Sequence, residues 1–352
     1  TEIYTLSLHD ALPISANTSG IIAGGMSDNF TRVSHAHGVD FAKDLWSFGN
    51  SAFDALTDFS KRESIPCKLG GRLRFITSEQ ELTEAKLAVS QMNSAGFLSK
   101  LILRGDSENC NYFEKLSRRV LAVQDEGHRG GFIDCKKIVK ALSSKVKCPR
   151  IPSIKGLTAT AENLIVTDSN NNAHQIELAL FANHLDIRSF IPEIKEALVS
   201  VADQWISCDE KKSSDQNNWN EEGIVYSANH SYEWGVKSSS DTWHLGGGRY
   251  LRPMAGIEAE KPSCHEKIDL HLVEQFGKTF TFDSNLKRKS SHPILDCRPC
   301  DELPIIGPMF GDSRLLMSTG YMGDGLSMAF YAGQCLAELI VHGKCDNLPR
   351  RL

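Results

Sequence analysis

Near its C-terminus the chain passes from Arg314–Ser318, apolar enough for a buried strand, into Gly320-x-x-Gly323-x-Gly325. An apolar-periodic stretch then runs from about Leu326 to His342, and Gly343 is placed to end it at the C′ position. No other feature constrains the fold as much as this strand, glycine turn and long helix in immediate succession, because the three together read as α/β structure that must bury its apolar faces in a layer. Glycines let a backbone pass close to a flat ligand with no Cβ in the way. The helix behind them offers free N–H groups and a partial positive charge, so negative charge developing on such a ligand would be stabilised. A purely structural turn is the plain alternative, since glycine commonly punctuates the start of a helix.

Upstream, Ser15–Met26 (SANTSGIIAGGM) is small, polar and glycine-rich and predicts a loop with close backbone approach. Phe41–Phe59 has helical spacing. Leu73–Ile76 reads as a short strand, Ser78 as the N-cap of an amphipathic helix Glu79–Gln91, and Asp134 as the N-cap of a helix Lys136–Ser143. Val120–Asp125 reads as a strand, and Asn163–Thr167 and Gln175–Phe181 predict a hairpin around Asp168–Asn172. Gly223–Ser227, Tyr232–Lys237 and Thr242–Tyr250 predict successive antiparallel strands, His271–Phe280 a helix, and Asp209–Asn220 a surface loop. The ends read as α/β and the middle as an antiparallel sheet, the layout of a discontinuous two-domain enzyme.

Composition removes several function classes. The 352 residues can bury a sizeable core, and 41% hydrophobic with 24% charged residues is neither fibrous nor disordered. A net charge of -5 argues against a nucleic-acid partner. No window reaches the roughly 18 apolar residues of a membrane span. Ten cysteines over this length are too sparse for a disulfide scaffold, so reduced thiols and a cytoplasmic location are expected. Cys297-x-x-Cys300 has no second pair at zinc spacing, and no metal is expected. His35-Ala36-His37 reads as a solvated pair in a loop. No G-x-S-x-G follows a strand, which disfavours a serine hydrolase. Thr1–Ile14 has neither Lys nor Arg, unlike a secretory signal, and resembles the in-frame translation of an adapter oligonucleotide. It is set aside as a non-native leader, and the native chain is expected to begin near Ser15 with its own N-terminal segment missing.

Taken together, Arg298-Pro299, Leu303-Pro304-Ile305-Ile306-Gly307-Pro308, Gly320-x-x-Gly323-x-Gly325 and Ala337-Glu338-Leu339-Ile340 resemble the closing segment of the D-amino-acid oxidase-like FAD-dependent oxidoreductases. Ser15–Gly24, Gly131–Leu142, Asn163–Asn183 and Trp243–Arg249 resemble further family elements in family order. The resemblance implies a Rossmann-like FAD-binding domain (residues 15–30, 113–186 and 295–352) and an antiparallel-sheet substrate domain (residues 31–112 and 187–294). It implies FAD as cofactor, an amine or amino acid as substrate, and dioxygen or another acceptor to take the electrons. Cofactor contacts are expected at Ser19, Gly20, Ile21, Gly320, Met322, Gly323, Asp324, Gly325 and Leu326. Arg298 is the expected clamp for a substrate carboxylate, by a rigid bidentate contact, unless it is paired with Asp296 or Asp301. Tyr321 and Tyr250 are expected to line the substrate pocket, with packing as the alternative for both. Three departures stand out. No G-x-G-x-x-G is present, so its βαβ unit would lie before Ser15 and the chain as given should hold FAD weakly. Ala182-Asn183 stands where relatives usually have glycine. The connection from Arg298 to Leu303 is short. The alternatives are a non-catalytic binding protein of this fold and a flavin enzyme acting on a 2-hydroxy acid.

Overall fold

The computed structural model describes residues 14–106, 110–147, 153–210, 222–281, 286–309 and 311–352. The expected leader therefore lies almost wholly outside the described residues, and so does most of the expected loop Asp209–Asn220. The first half of the chain runs β1 (Ile21–Ala23), α1 (Phe30–His37), α2 (Val39–Arg62), β2 (Cys67–Leu69), β3 (Arg72–Ile76), α3 (Glu79–Ser94), β4 (Lys100–Leu103), α4 (Cys110–Glu114), β5 (Ala122–Asp125), β6 (Gly130–Ile133), α5 (Cys135–Lys145), β7 (Ile154–Ala159), β8 (Leu164–Asp168) and β9 (Ala173–Ile176). The second half runs β10 (Ala179–Phe181), α6 (Ile187–Phe190), β11 (Leu198–Glu210), β12 (Val225–Ala228), β13 (Glu233–Ser239), β14 (Thr242–Gly247), α7 (Glu266–Thr279), β15 (Leu286–Pro299), β16 (Ile305–Met309), β17 (Asp312–Thr319) and α8 (Gly325–His342).

Eight strands form one mixed sheet in the order β15-β11-β14-β13-β12-β3-β5-β4. Side chains alternate across a strand, so each face can be read from the register. One face carries Leu73, Phe75, Val123, Ile206, Tyr226, Trp243 and Leu245, and α7 covers it with Ile268, Leu272 and Phe276. The other face holds a row running across six strands, Arg74–Ser227–Trp234–Gly246–Trp205–His292. Polar and aromatic, that second face fronts the loops described below.

A second core packs α1 and α2 against α8, with Phe30, Leu45, Trp46, Phe48, Met328 and Leu336 buried at its centre. Helix α2 presses on the glycine loop: a Cβ on Gly49 would stand 2.1 Å from the Gly25 carbonyl oxygen. The third core lies around a small sheet, β10-β17-β16, in which β10 and β17 are parallel. The result is the expected mixed α/β architecture.

Some elements differ from expectation for local reasons. The strand expected over Gln175–Phe181 is split: its first residues close the hairpin with β8, and Ala179–Phe181 leaves to pair with β17. His35 and His37 lie in α1, not in a loop, because the Asn29 side chain caps it by accepting from the Thr31 N–H at 3.0 Å. The strand expected to reach Tyr250 stops at Gly247, where Gly247 (φ 103°) and Gly248 (φ 72°) turn the backbone left-handed. Strand β15 was not read as a strand at all. Its Pro293 is tolerated because β15 is an edge strand. Within the large sheet β5 pairs with β3 and β4, and β15 runs from Leu286 to Pro299 along its edge.

Candidate functional site

In an α/β sheet a ligand crevice lies at the carboxyl ends of the parallel strands. Here those ends are Phe181 of β10 and Thr319 of β17, and the chain leaves them through Ala182–His184 and Gly320–Asp324. The two exits touch, because Thr319 Oγ1 donates to the His184 carbonyl at 3.4 Å. Burial pulls the His184 imidazole down to about 4, so it is neutral at neutral pH. Beside it, Asn183 Oδ1 is buried with no hydrogen-bond partner among the described residues.

The glycine turn is left-handed at Gly320 (φ 76°), Met322 (φ 50°) and Gly323 (φ 96°). A Cβ on Gly320 would meet Pro299 Cγ at 2.4 Å, so this glycine permits contact with β15. Around Gly323 nothing lies within 4 Å of where a Cβ would be, so one side of the turn is open. Asp324 stands at the N-cap of α8 but does not cap it. Its carboxylate accepts instead from the Ser27 N–H at 2.8 Å. The first N–H groups of an 18-residue helix are thus left without a side-chain cap, at the open edge of the turn. Burial raises the Asp324 carboxyl, and Arg72 opposes that shift.

The Ser27 contact joins this turn to the N-terminal loop, and β3 fixes that loop from below. Arg72 Nη1 donates to the Gly24 carbonyl at 2.8 Å and Arg74 Nη2 to the Asp28 carbonyl at 2.8 Å, while both guanidiniums reach the Ser27 carbonyl, at 3.3 and 3.1 Å. Glu126 lies between them, 3.1 Å from Arg72 Nε and hydrogen-bonded to Arg74 Nε. All three side chains are buried. Arg-Leu-Arg-Phe looks in sequence like an ordinary half-exposed strand, and this network was missed there. Farther along the loop, the Ser19 carbonyl accepts from His244 Nδ1 at 2.6 Å. Gly20 is pressed against Ile133 and Phe132, and Ile21 pairs with Phe132. Leu326 packs into the core around Ile22 and Phe53. These expected cofactor contacts are held mainly by protein.

The third group of expected site residues lies on the polar face of the large sheet. Arg298 is 36% exposed, its Nε 3.1 Å from Asp296 Oδ2. Among the described residues no partner meets its Nη atoms, so the pairing with Asp296 leaves the outer fork of the guanidinium free. Burial raises Asp296 to about 6, with the neighbouring Asp203 adding to the shift and Arg298 opposing it. Farther along the same face Trp205 stacks on His292 with ring centroids 3.9 Å apart, and His244 lies 4.9 Å from Trp205. Asp203, Trp205 and His292 carried no sequence motif; only the alternation of β11 and β15, once paired, brings them together.

The Tyr321 ring packs on the α1–α2–α8 core and its hydroxyl lies 2.6 Å from Ser318 Oγ. Tyr250 is bound by Glu233 at 2.6 Å and His271 at 2.7 Å, on the side of α7. Cys297 is buried against Thr319, whereas Cys300 is exposed and donates to the Glu196 carbonyl. Among the described residues no three His, Cys, Asp or Glu side chains gather as ion ligands, and no helix is long and apolar enough to cross a membrane.

No protein-family model matches the chain, and no curated protein matches it. Its fold does match solved structures. Glycine oxidase from Bacillus cereus ATCC 14579 superposes with a TM-score of 0.73 at 12% identity, over 97% of this chain and 89% of that one. L-proline dehydrogenase from P. horikoshii gives 0.70 at 15% identity, over 86% and 80%. The fructosyl amine:oxygen oxidoreductase of Aspergillus fumigatus gives 0.69 at 12% identity, over 98% and 82%. The chain has the fold of these oxidases and dehydrogenases.

Proposed function

We propose that the protein is an FAD-dependent oxidoreductase that oxidises the C–N bond of an amine or amino acid. The observations that carry this reading are the open, uncapped start of α8 and an arginine with a free outer fork, in a fold shared with oxidases and dehydrogenases of amino compounds. The residues present fit a flavin. The turn is open at Gly323, the first α8 N–H groups favour negative charge, and the buried Asn183 Oδ1 lacks a donor that a ligand would supply. Gly320–Gly325 and Asn183 would hold the group, which when bound supplies a two-electron acceptor for the substrate carbon.

Arg298 holds the substrate carboxylate through its Nη atoms, a charge-assisted contact that fixes the substrate's orientation. Asp324 holds the turn on Ser27, and Arg72 and Arg74 hold Ser27 on the sheet. The imine product hydrolyses in water, and dioxygen or another acceptor takes the electrons.

The test is anaerobic bleaching of the FAD-reconstituted protein by an amino acid, by the matching amine without a carboxylate, and by the matching 2-hydroxy acid. The amines should bleach the flavin and the hydroxy acid should not. Arg298→Ala should raise KM for the amino acid about tenfold or more and leave the plain amine unchanged. Bound flavin that no amine bleaches would turn the reading toward a non-catalytic binding protein.

A further inference from the structure

The sheet wall carries more charge than a carboxylate clamp requires. Asp296 precedes Arg298 by two residues on β15, and Asp203 lies on the paired strand β11. In the register Val201 opposes Asp296 and Asp203 opposes Ile294, so the two carboxylates are diagonal neighbours on the face that bears Arg298. Each spends one oxygen on the next backbone N–H: Gln204 N–H to Asp203 Oδ1 at 2.7 Å, and Cys297 N–H to Asp296 Oδ1 at 3.0 Å. Asp296 Oδ2 also accepts from Arg298 Nε, whereas no side chain among the described residues donates to Asp203. The cations that act on the pair are Arg298, on both, and Arg249, on Asp203. Burial raises both carboxyls, as expected of acids that lack enough donors. One strand face thus presents free acceptors within reach of a free guanidinium fork.

We propose that Asp203 and Asp296 hold the ammonium group of a substrate whose carboxylate is held by Arg298, so that the crevice selects zwitterionic amino acids over plain carboxylates. The inference rests on the amine-oxidoreductase reading and narrows its substrate class. An ammonium has three donors and suits two carboxylates on one face; a lone carboxylate ligand would be drawn to Arg298 and repelled by Asp296 and Asp203.

Binding to the FAD-reconstituted protein, measured by calorimetry with glycine and with acetate as probes, tests this. Asp203→Asn and Asp296→Asn keep shape, and in the second the amide oxygen still accepts from Arg298 Nε. Each should weaken glycine on the order of tenfold and tighten acetate several-fold. The opposite signs separate lost recognition from a damaged fold, which would weaken both probes. Acetate weakened along with glycine in variants that melt and hold flavin like the unaltered protein, unchanged glycine affinity, or an unaltered protein that binds acetate as tightly as glycine would each overturn the proposal. Flavin absorbance in the same samples separates the two readings. Glycine binding that depends on the pair with no bleaching by any amine removes the oxidoreductase reading and keeps the zwitterion site. Bleaching by amines with glycine binding indifferent to both variants does the reverse.

Discussion

At the residue scale, Asp296 shows how a charge can be kept where folding disfavours it. Its carboxyl is 15% exposed, shares its strand face with Asp203, and is raised from 3.8 to about 6. A carboxyl raised in the folded state binds its proton more tightly folded than unfolded. It therefore contributes most to stability below about 3.8, and that contribution is lost as pH rises through about 6. Asp296→Asn, which carries no charge at any pH, should melt higher than the unaltered protein at pH 7.5 and lose that advantage by pH about 4. Melting temperatures across this range check it. A variant that melts lower at pH 7.5 and no lower at pH 4 would mean that the Arg298 pair outweighs the burial of the charge.

At the element scale, β3 and β5 do more than extend a sheet. Arg72 and Arg74 bring two guanidiniums under the N-terminal loop, and Glu126, one residue past β5, supplies their shared counter-charge. Removing one partner of a buried ion pair typically costs about 3–5 kcal/mol, because the remaining charge stays buried. Glu126→Gln should lower the unfolding free energy by an amount of that order, and amide exchange should quicken at Gly24–Asp28. Unchanged exchange in that loop would show that the carbonyl contacts hold without Glu126. How much of this was legible beforehand follows from the range of each interaction. The Ser78 and Asp134 N-caps and the left-handed Gly343 are short-range, and all three stand where the sequence placed them: Ser78 accepts from the Glu81 N–H, Asp134 from the Lys137 N–H, and Gly343 has φ 74°. The pairing of β11 with β15 joins segments about ninety residues apart. Nothing local marks Lys287–His292 as strand, and the face shared by Asp203, Asp296 and Arg298 appears only once the register exists. Gln175–Phe181 lies between these cases: its alternation is strand-like, but it carries no sign of where one sheet ends and the next begins.

For the whole molecule, the candidate site draws on parts that belong to different cores. The turn at Gly320–Asp324 leads into the second core, the N-terminal loop rests on β3, and Arg298 stands on the large sheet. A ligand that touches all three and binds only the folded chain must stabilise them together. Free ligand at about 100 times its Kd adds about 2.7 kcal/mol. FAD at such an excess should therefore raise the melting temperature by several degrees, in one concerted transition and not in a sub-transition of one part. Gly323→Val supplies the control. At φ 96° a β-branched residue is strained by about 1–3 kcal/mol, and its side chain enters the open side of the turn. The α8 packing residues Met328, Ala332 and Leu336 are untouched, so this variant should fold, melt somewhat lower, and show no rise with FAD. A rise of equal size in both proteins would place the flavin away from the turn.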